Sequence, residues 1–163
     1  RHSKNCPTWR PTGIRRHHSR NKKMIADRYI YAKLIASAGV TALVSTRIYP
    51  VIAPQDATYP LITYSAVYTP ADNSKNEDAT HDNCAFTLRL WHAEYDGASS
   101  LDVAVRAALD YVDGAGAGVT AGGVIINACE WVSSTDGLEE GNSAPGGAPY
   151  FFREALYNIR EQR

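Results

Sequence analysis

Apolar residues along this chain fall into alternating helical and strand-like periods. Over Ala26–Ala38, Ile30 and Leu34 lie four apart, with Tyr31 and Ile35 as a second such pair beside them, which predicts an amphipathic helix. Gly39 is placed to stop it, and Val40–Val44 allows one more short helical turn. Two strand-like runs follow, Arg47–Ile52 and Leu61–Tyr68, joined by a segment marked by Pro54 and Pro60. The second run, LITYSAVY, has the β-branched and aromatic content of a half-buried ribbon. Pro60 has no backbone donor and fits at the start of a strand. Pro70–Asp82 is polar throughout and reads as a long loop. In Asn83–His92, Phe86, Leu88 and Leu90 alternate with Thr87, Arg89 and Trp91, a two-sided strand.

A second helix is predicted from a cap at Ser99 or Ser100 to Asp113, with Leu101, Val105, Ala108, Leu109 and Val112 as its stripe. Asp102, Arg106, Asp110 and Asp113 fall mostly away from that stripe. Gly114, Gly116 and Gly118 end it. Val124–Val132 reads as a fourth strand and Ser133–Pro149 as a second long loop. Tyr150–Ile159 reads as a closing strand whose composition also permits a helix. The order α-β-β-β-α-β-β implies an α+β domain, a mostly antiparallel sheet of about five strands with two helices packed on one face. No internal repeat is visible.

Charge divides the chain more sharply than hydropathy does. The formal net charge of its 163 residues is zero, yet residues 1–23 hold eight Lys or Arg and no Asp or Glu. The remaining 140 residues hold nine basic and seventeen acidic side chains, a formal charge of −8. Met24, the single methionine, stands at the break and reads as the natural start, with residues 1–23 as upstream sequence. The competing reading makes 1–23 a basic arm for nucleic acid with Trp9 as a stacking residue. Either way that segment has neither period and is expected to be poorly ordered. Residues 24–163 are then one domain of ordinary size. No apolar run has the length of a membrane-spanning helix. Cys6, Cys84 and Cys129 lack the spacing of a zinc site or a disulfide framework. Cys84 and Cys129 sit in strand-like runs, as small buried hydrophobes do.

Catalytic chemistry is hard to find. His92, Glu94 and Asp96 sit together where a strand gives way to a helix, with His92 and Glu94 on one side of the strand, so a metal site or an acid–base pair is conceivable. No second ligand cluster supports it, and polar residues are expected at such a junction. His81 and Asp82 close a loop already rich in polar residues and read as solvated. The Gly114–Gly118 run follows a helix and leads to a strand, the reverse of a phosphate-cradling loop. Ser99-Ser100 lacks the nucleophile elbow. The reading is of a protein that is not an enzyme, with no cofactor and no metal. Its tyrosines stand out: four of the ten, Tyr49, Tyr59, Tyr64 and Tyr68, fall in the first two strands or between them, as suits either an interface or an ordinary strand.

One stretch goes further. Arg-Ile-Tyr-Pro at 47–50, Ala-Pro-Gln at 53–55 and Tyr-Pro-Leu-Ile-Thr-Tyr at 59–64, directly after a short helix, resemble the tail-completion, or tail-terminator, proteins of long-tailed bacteriophages. The resemblance extends over nearly all of Met24–Arg160 and leaves 1–23 unmatched. It implies a structural virion protein, made in the host cytoplasm, that caps the head-proximal end of the tail tube and joins it to the head connector as a six-fold ring. The implied partners are further copies of the chain, the tail tube protein and the head-completion or connector protein, with no membrane. DNA would pass through without specific binding, which an acidic domain favours. The candidate assembly residues are Asp72, Glu77, Asp78 and Asp82 in the first long loop, Glu139 and Glu140 in the second, and Tyr49 and Tyr64.

Overall fold

The computed structural model describes residues 26–69, 81–109, 112–113, 119–139 and 149–162. Its elements are α1 (Ala26–Ala36), α2 (Ala38–Val44), β1 (Ile48–Pro50), β2 (Leu61–Thr69), β3 (His81–His92), α3 (Tyr95–Leu109), β4 (Val112–Asp113), β5 (Val119–Ala121), β6 (Val124–Glu139) and β7 (Tyr150–Gln162). The strands form one sheet in the order β1-β2-β3-β7-β6-β4, with β5 also paired to β6. Among the described strands only β1 and β2 run parallel. The α+β class and the mostly antiparallel sheet therefore stand, with seven strands and three helices among the described residues where about five and two were expected.

The helices cover one face of the sheet. Ile62 and Tyr64 on β2, Phe86, Leu88 and Leu90 on β3, and Ala155, Tyr157 and Ile159 on β7 share that face by register. Against them pack Tyr29, Ile30 and Leu34 of α1, Val40 and Val44 of α2, and Leu101, Val105 and Leu109 of α3. The stripe on α3 and the alternation on β3 thus meet as their periods imply. Of the second pair predicted on α1, Tyr31 is exposed and Ile35 only edges the core.

Several boundaries move, each for a local reason. The first helix breaks at Ser37, whose extended backbone (φ −81°, ψ 114°) starts α2. Gly39 lies inside α2, where a Cβ would meet Ala104 of α3 at an ordinary 3.9 Å. The run Arg47–Ile52 yields only a three-residue β1, because Val51 turns the chain with φ +63°. Helix α3 begins at Tyr95, ahead of Ser99 and Ser100, and stops at Leu109. Val112 and Asp113 leave it to pair with Cys129 and Ala128 of β6. Asp102, expected on the solvent side, is buried. The strand at Asn83 starts earlier, at His81; residues 70–80 of the first expected loop and the glycines at 114–118 lie outside the described residues.

The largest correction is at β6, which continues from Val132 to Glu139 where a loop was expected. Ser133–Glu139 pair in register with Tyr150–Leu156 of β7. Two register shifts, between Ile126 and Ala128 and between Trp131 and Ser133, interrupt the β6–β7 ladder. Bulges of this kind bend a strand and raise its twist, which curls this end of the sheet. Gly122 and Gly123, both at positive φ, turn β5 into β6, the geometry of a tight two-residue hairpin.

Candidate assembly surface

Three features fix the surfaces that this fold offers. The first is a polar clasp between α3 and the β6–β7 pair. Arg153 sits on the helix-covered side of β7, and its Nε and Nη2 donate to the two Asp136 oxygens at 2.6 and 3.1 Å. Its Nη1 reaches Ser99 Oγ at 3.2 Å and Asp102 Oδ2 at 3.4 Å. Tyr95 donates its hydroxyl to Asp136 at 2.8 Å. Trp131 donates to Ser134, whose hydroxyl in turn contacts Asp102, and Arg106 lies 4.1 Å over the Trp131 ring. The Arg153 and Tyr95 hydrogen bonds hold the Asp136 carboxyl below the usual carboxylate range, and the same bond to Asp136 raises Arg153. The clasp explains why Ser133–Glu139 looked like a loop: its helix-facing positions carry Ser134 and Asp136 in place of apolar residues.

The second feature is the helix-free face. Tyr59 and Tyr150 stack at 3.8 Å, Trp91 and Phe152 lie 4.9 Å apart, and Tyr59 meets Trp91 edge-on at 6.5 Å. Phe152 lies across Gly137, where any side chain would overlap its ring. Arg89 pairs with Glu154 at 2.7 Å and approaches the Phe152 ring. This cluster, with Arg47 Nε donating to the Pro60 carbonyl at 2.7 Å, fastens the β1–β2 connection onto the sheet. At the other end the same face is hollow, a groove of about 620 Å³ over Ala85, Ala128 and Asn158.

The third feature is the pair of sheet edges. β1 covers β2 only from Ile62 to Tyr64. β4 and β5 cover β6 only from Val124 to Cys129. Among the described residues nothing pairs with the outer edge of Ser65–Thr69 or of Glu130–Glu139. Val51 and Ile52, 77% and 78% exposed, mark the step where β1 ends, and Val67 on the bare part of β2 is 67% exposed. Val132 and Leu138 are exposed on β6.

The residues singled out from sequence are distributed across this frame and do not converge. Tyr64 is 8% exposed and belongs to the core, and burial raises its hydroxyl. Tyr68 is half-buried, its hydroxyl inside and raised chiefly by burial. Tyr49 is half-buried on β1 opposite Thr63, and Tyr59 belongs to the aromatic cluster. Asp82 lies opposite Glu161, while Glu139 lies opposite Tyr150. Eleven positions along β7 put them roughly 36 Å apart, at opposite ends of the sheet. Asp72, Glu77, Asp78 and Glu140 lie outside the described residues. The chain therefore leaves Thr69 and re-enters at His81 at one end, and leaves Glu139 and re-enters at Pro149 at the other.

His92, Glu94 and Asp96 make no paired site. His92 Nδ1 accepts the Glu94 backbone N–H at 2.9 Å, and its ring occupies the space that Gly97 leaves. Among the described residues no three His, Cys, Asp or Glu side chains gather around a point where a metal could sit. Cys84 and Cys129 are buried and form no disulfide, and burial pushes the Cys84 thiol up to about 12, far from a reactive thiolate. Arg153 was not singled out from sequence. Its signal was present, since Phe151, Arg153, Ala155 and Tyr157 share one parity, and a lone arginine on an apolar face calls for a buried acid.

No curated protein matches the chain in sequence. In structure, a chain of the virion of a native gene transfer agent particle superposes with a TM-score of 0.56 at 18% identity, covering 86% of this chain and 99% of that one. That likeness is one of fold. The family model described as "Tail completion protein gp17" matches residues 28–142, from α1 through the whole of β6. The chain belongs to the tail completion protein gp17 family and is a structural component of a phage virion.

Proposed function

We propose that this chain closes the head-proximal end of the tail tube and joins it to the head connector, acting as a ring of six copies. The family match over 28–142 carries this reading. The fold supports it. Two chain connections leave opposite ends of one stiff sheet, so a single copy can reach toward two different neighbours, as a joint must. The excess of acid over base beyond residue 23 suits a channel through which DNA slides, because each phosphate neutralised by Lys or Arg would add grip. The chain works without catalysis: His92 serves the start of α3, and its neighbours Glu94 and Asp96 are exposed. The acidic residues Asp72, Glu77, Asp78, Asp82, Glu139 and Glu140 contact the neighbouring parts or face the channel.

An infection lacking the chain tests this. Filled heads and free tails should accumulate side by side in electron micrographs, and the purified protein should restore joined particles when added to that extract. Joined particles in its absence would refute the reading. Replacing both His92 and Glu94 with alanine should leave joining intact in a folded chain.

A further inference from the structure

We propose that neighbouring copies join edge to edge, the bare edge of β2 over Ser65–Thr69 in one copy pairing with the bare edge of β6 over Ser133–Glu139 in the next. The sheet then runs on across each junction. This rests on the ring reading above and specifies its contact.

The β2 edge is open for a definite reason. Val51 N–H donates to the Tyr64 carbonyl at 2.7 Å, and Ile62 N–H donates to the Arg47 carbonyl at 2.9 Å. Even-numbered residues of β2 therefore aim their backbone groups toward β1. Val51 then turns away, and the same parity leaves the amides and carbonyls of Ala66 and Tyr68 facing outward with no strand beside them among the described residues. Proteins usually guard such an edge with charge, proline or a bulge. Ser65–Thr69 has none of these.

The β6 edge is its counterpart. Past the shift at Val132, Ser133–Glu139 pair regularly with β7 on one side, and among the described residues no strand pairs with the other. Seven residues give room for the five of Ser65–Thr69, about 17 Å of ladder. Apolar side chains flank both edges: Val51, Ile52 and Val67 at one, Val132 and Leu138 at the other.

The occupant follows from position. The two edges lie at opposite sides of the same sheet. A contact of β2 with β2 would be isologous, closing a dimer and leaving both β6 edges bare. A contact of β2 with β6 is heterologous; every copy gives one edge and receives the other, which is what a closed ring of identical parts requires.

Two substitutions on the exposed, helix-free side test this, Val67→Lys on β2 and Thr135→Lys on β6. Each should leave the fold intact and lower the assembled fraction at least tenfold where the unsubstituted chain self-associates. Mixed together, they should form a one-to-one dimer and no ring, because one unblocked junction remains. Assembly by either variant alone, or no dimer on mixing, would overturn the proposal. Amide exchange on purified tails decides independently, including where the free chain is monomeric. Several copies per tail with Ala66, Tyr68 and the Ser133–Glu139 stretch all slowed would support edge pairing. Several copies with neither edge slowed would overturn it and leave the ring reading standing. One edge slowed alone would assign that edge to the tube or connector. A single copy per tail would refute the ring reading and edge pairing with it.

Discussion

Replacing Arg153 with methionine should cost about 3 kcal/mol of folding stability, and the reason lies in the asymmetry of its partners. Asp102 is 3% exposed, and without the guanidinium it keeps only long contacts to Ser134 Oγ at 3.4 and 3.5 Å. Stripping one partner from a buried ion pair costs roughly 3–5 kcal/mol, because the other charge is left in a poor solvent. The Arg153–Asp102 contact is long, 3.4 Å, and the arginine is partly exposed, which places the loss at the low end. The shorter Asp136 contact adds little. Its carboxylate is 43% exposed, and screened pairs contribute about 0–1 kcal/mol. Asp102→Ala should cost less, about 1 kcal/mol, since Arg153 still has Asp136 and Ser99 and no buried charge is stranded. Combining the two changes should cost about as much as Asp102→Ala alone, a coupling of about 3 kcal/mol. Urea denaturation of the monomer reads this directly. With a slope of about 2 kcal/mol per molar, Arg153→Met should lower the midpoint by about 1.5 M. A shift under about 0.5 M, or a double variant whose losses simply add, would show that α3 is held by its apolar stripe alone.

Other outcomes follow from single contacts. Leu109→Ala, at a fully buried position, should cost about 2–5 kcal/mol in the same denaturation assay. Gly122→Ala places a Cβ 2.6 Å from the Arg28 carbonyl oxygen at φ +61°, so at least about 1 kcal/mol of backbone strain should add to a displacement of α1 from the β5–β6 turn; a lowered melting temperature with faster amide exchange in α1 checks it. Gly137→Val should push the Phe152 ring off the sheet, read as changed near-ultraviolet dichroism and Trp91 fluorescence. Asp136 has a carboxyl pKa lower in the folded chain than its ordinary 3.8, so its contribution is complete above that value and is lost as pH falls through the depressed one. Acid unfolding of Asp136→Asn should therefore show a shallower loss of stability below about pH 4 than the parent.

Wherever one face meets solvent and the other an apolar neighbour, the pattern of residues was enough to read the fold. Phe86, Leu88 and Leu90 announced their strand, and Leu101, Val105 and Leu109 their helix, because burial on one side leaves a period. It was insufficient where the contact was polar or very short. Ser134 and Asp136 face α3 through hydrogen bonds, so β6 lost its alternation after Val132 and passed for a loop. The three-residue β1 pairs in parallel across a ten-residue connection, and no local period encodes that partner. Gly122-Gly123 between VTA and VII was a legible hairpin signal, overshadowed by the glycines at 114–118. The tyrosines show the same limit: Tyr64 and Tyr59 have similar sequence surroundings, yet one is core and the other joins an aromatic stack on the opposite face. The candidate surface was least legible, because an open edge is defined by the absence of a neighbour, which depends on where every other strand goes.

The position of β7 also bears on how the molecule is made. It is flanked along its length by β3 and β6, yet among the described strands it is the last to leave the ribosome. Until it inserts, the two halves of the sheet have no shared ladder, and the clasp has no Arg153. Sequence-distant pairings of this kind fold slowly, and nascent chains here must wait for β7 before the core can close. A translation product cut short before Tyr150 would lack the strand that unites its halves and would go to proteolysis. For an assembly in which one defective subunit can spoil a whole particle, a fold that completes only when β7 joins its two halves acts as a proofreading step on synthesis.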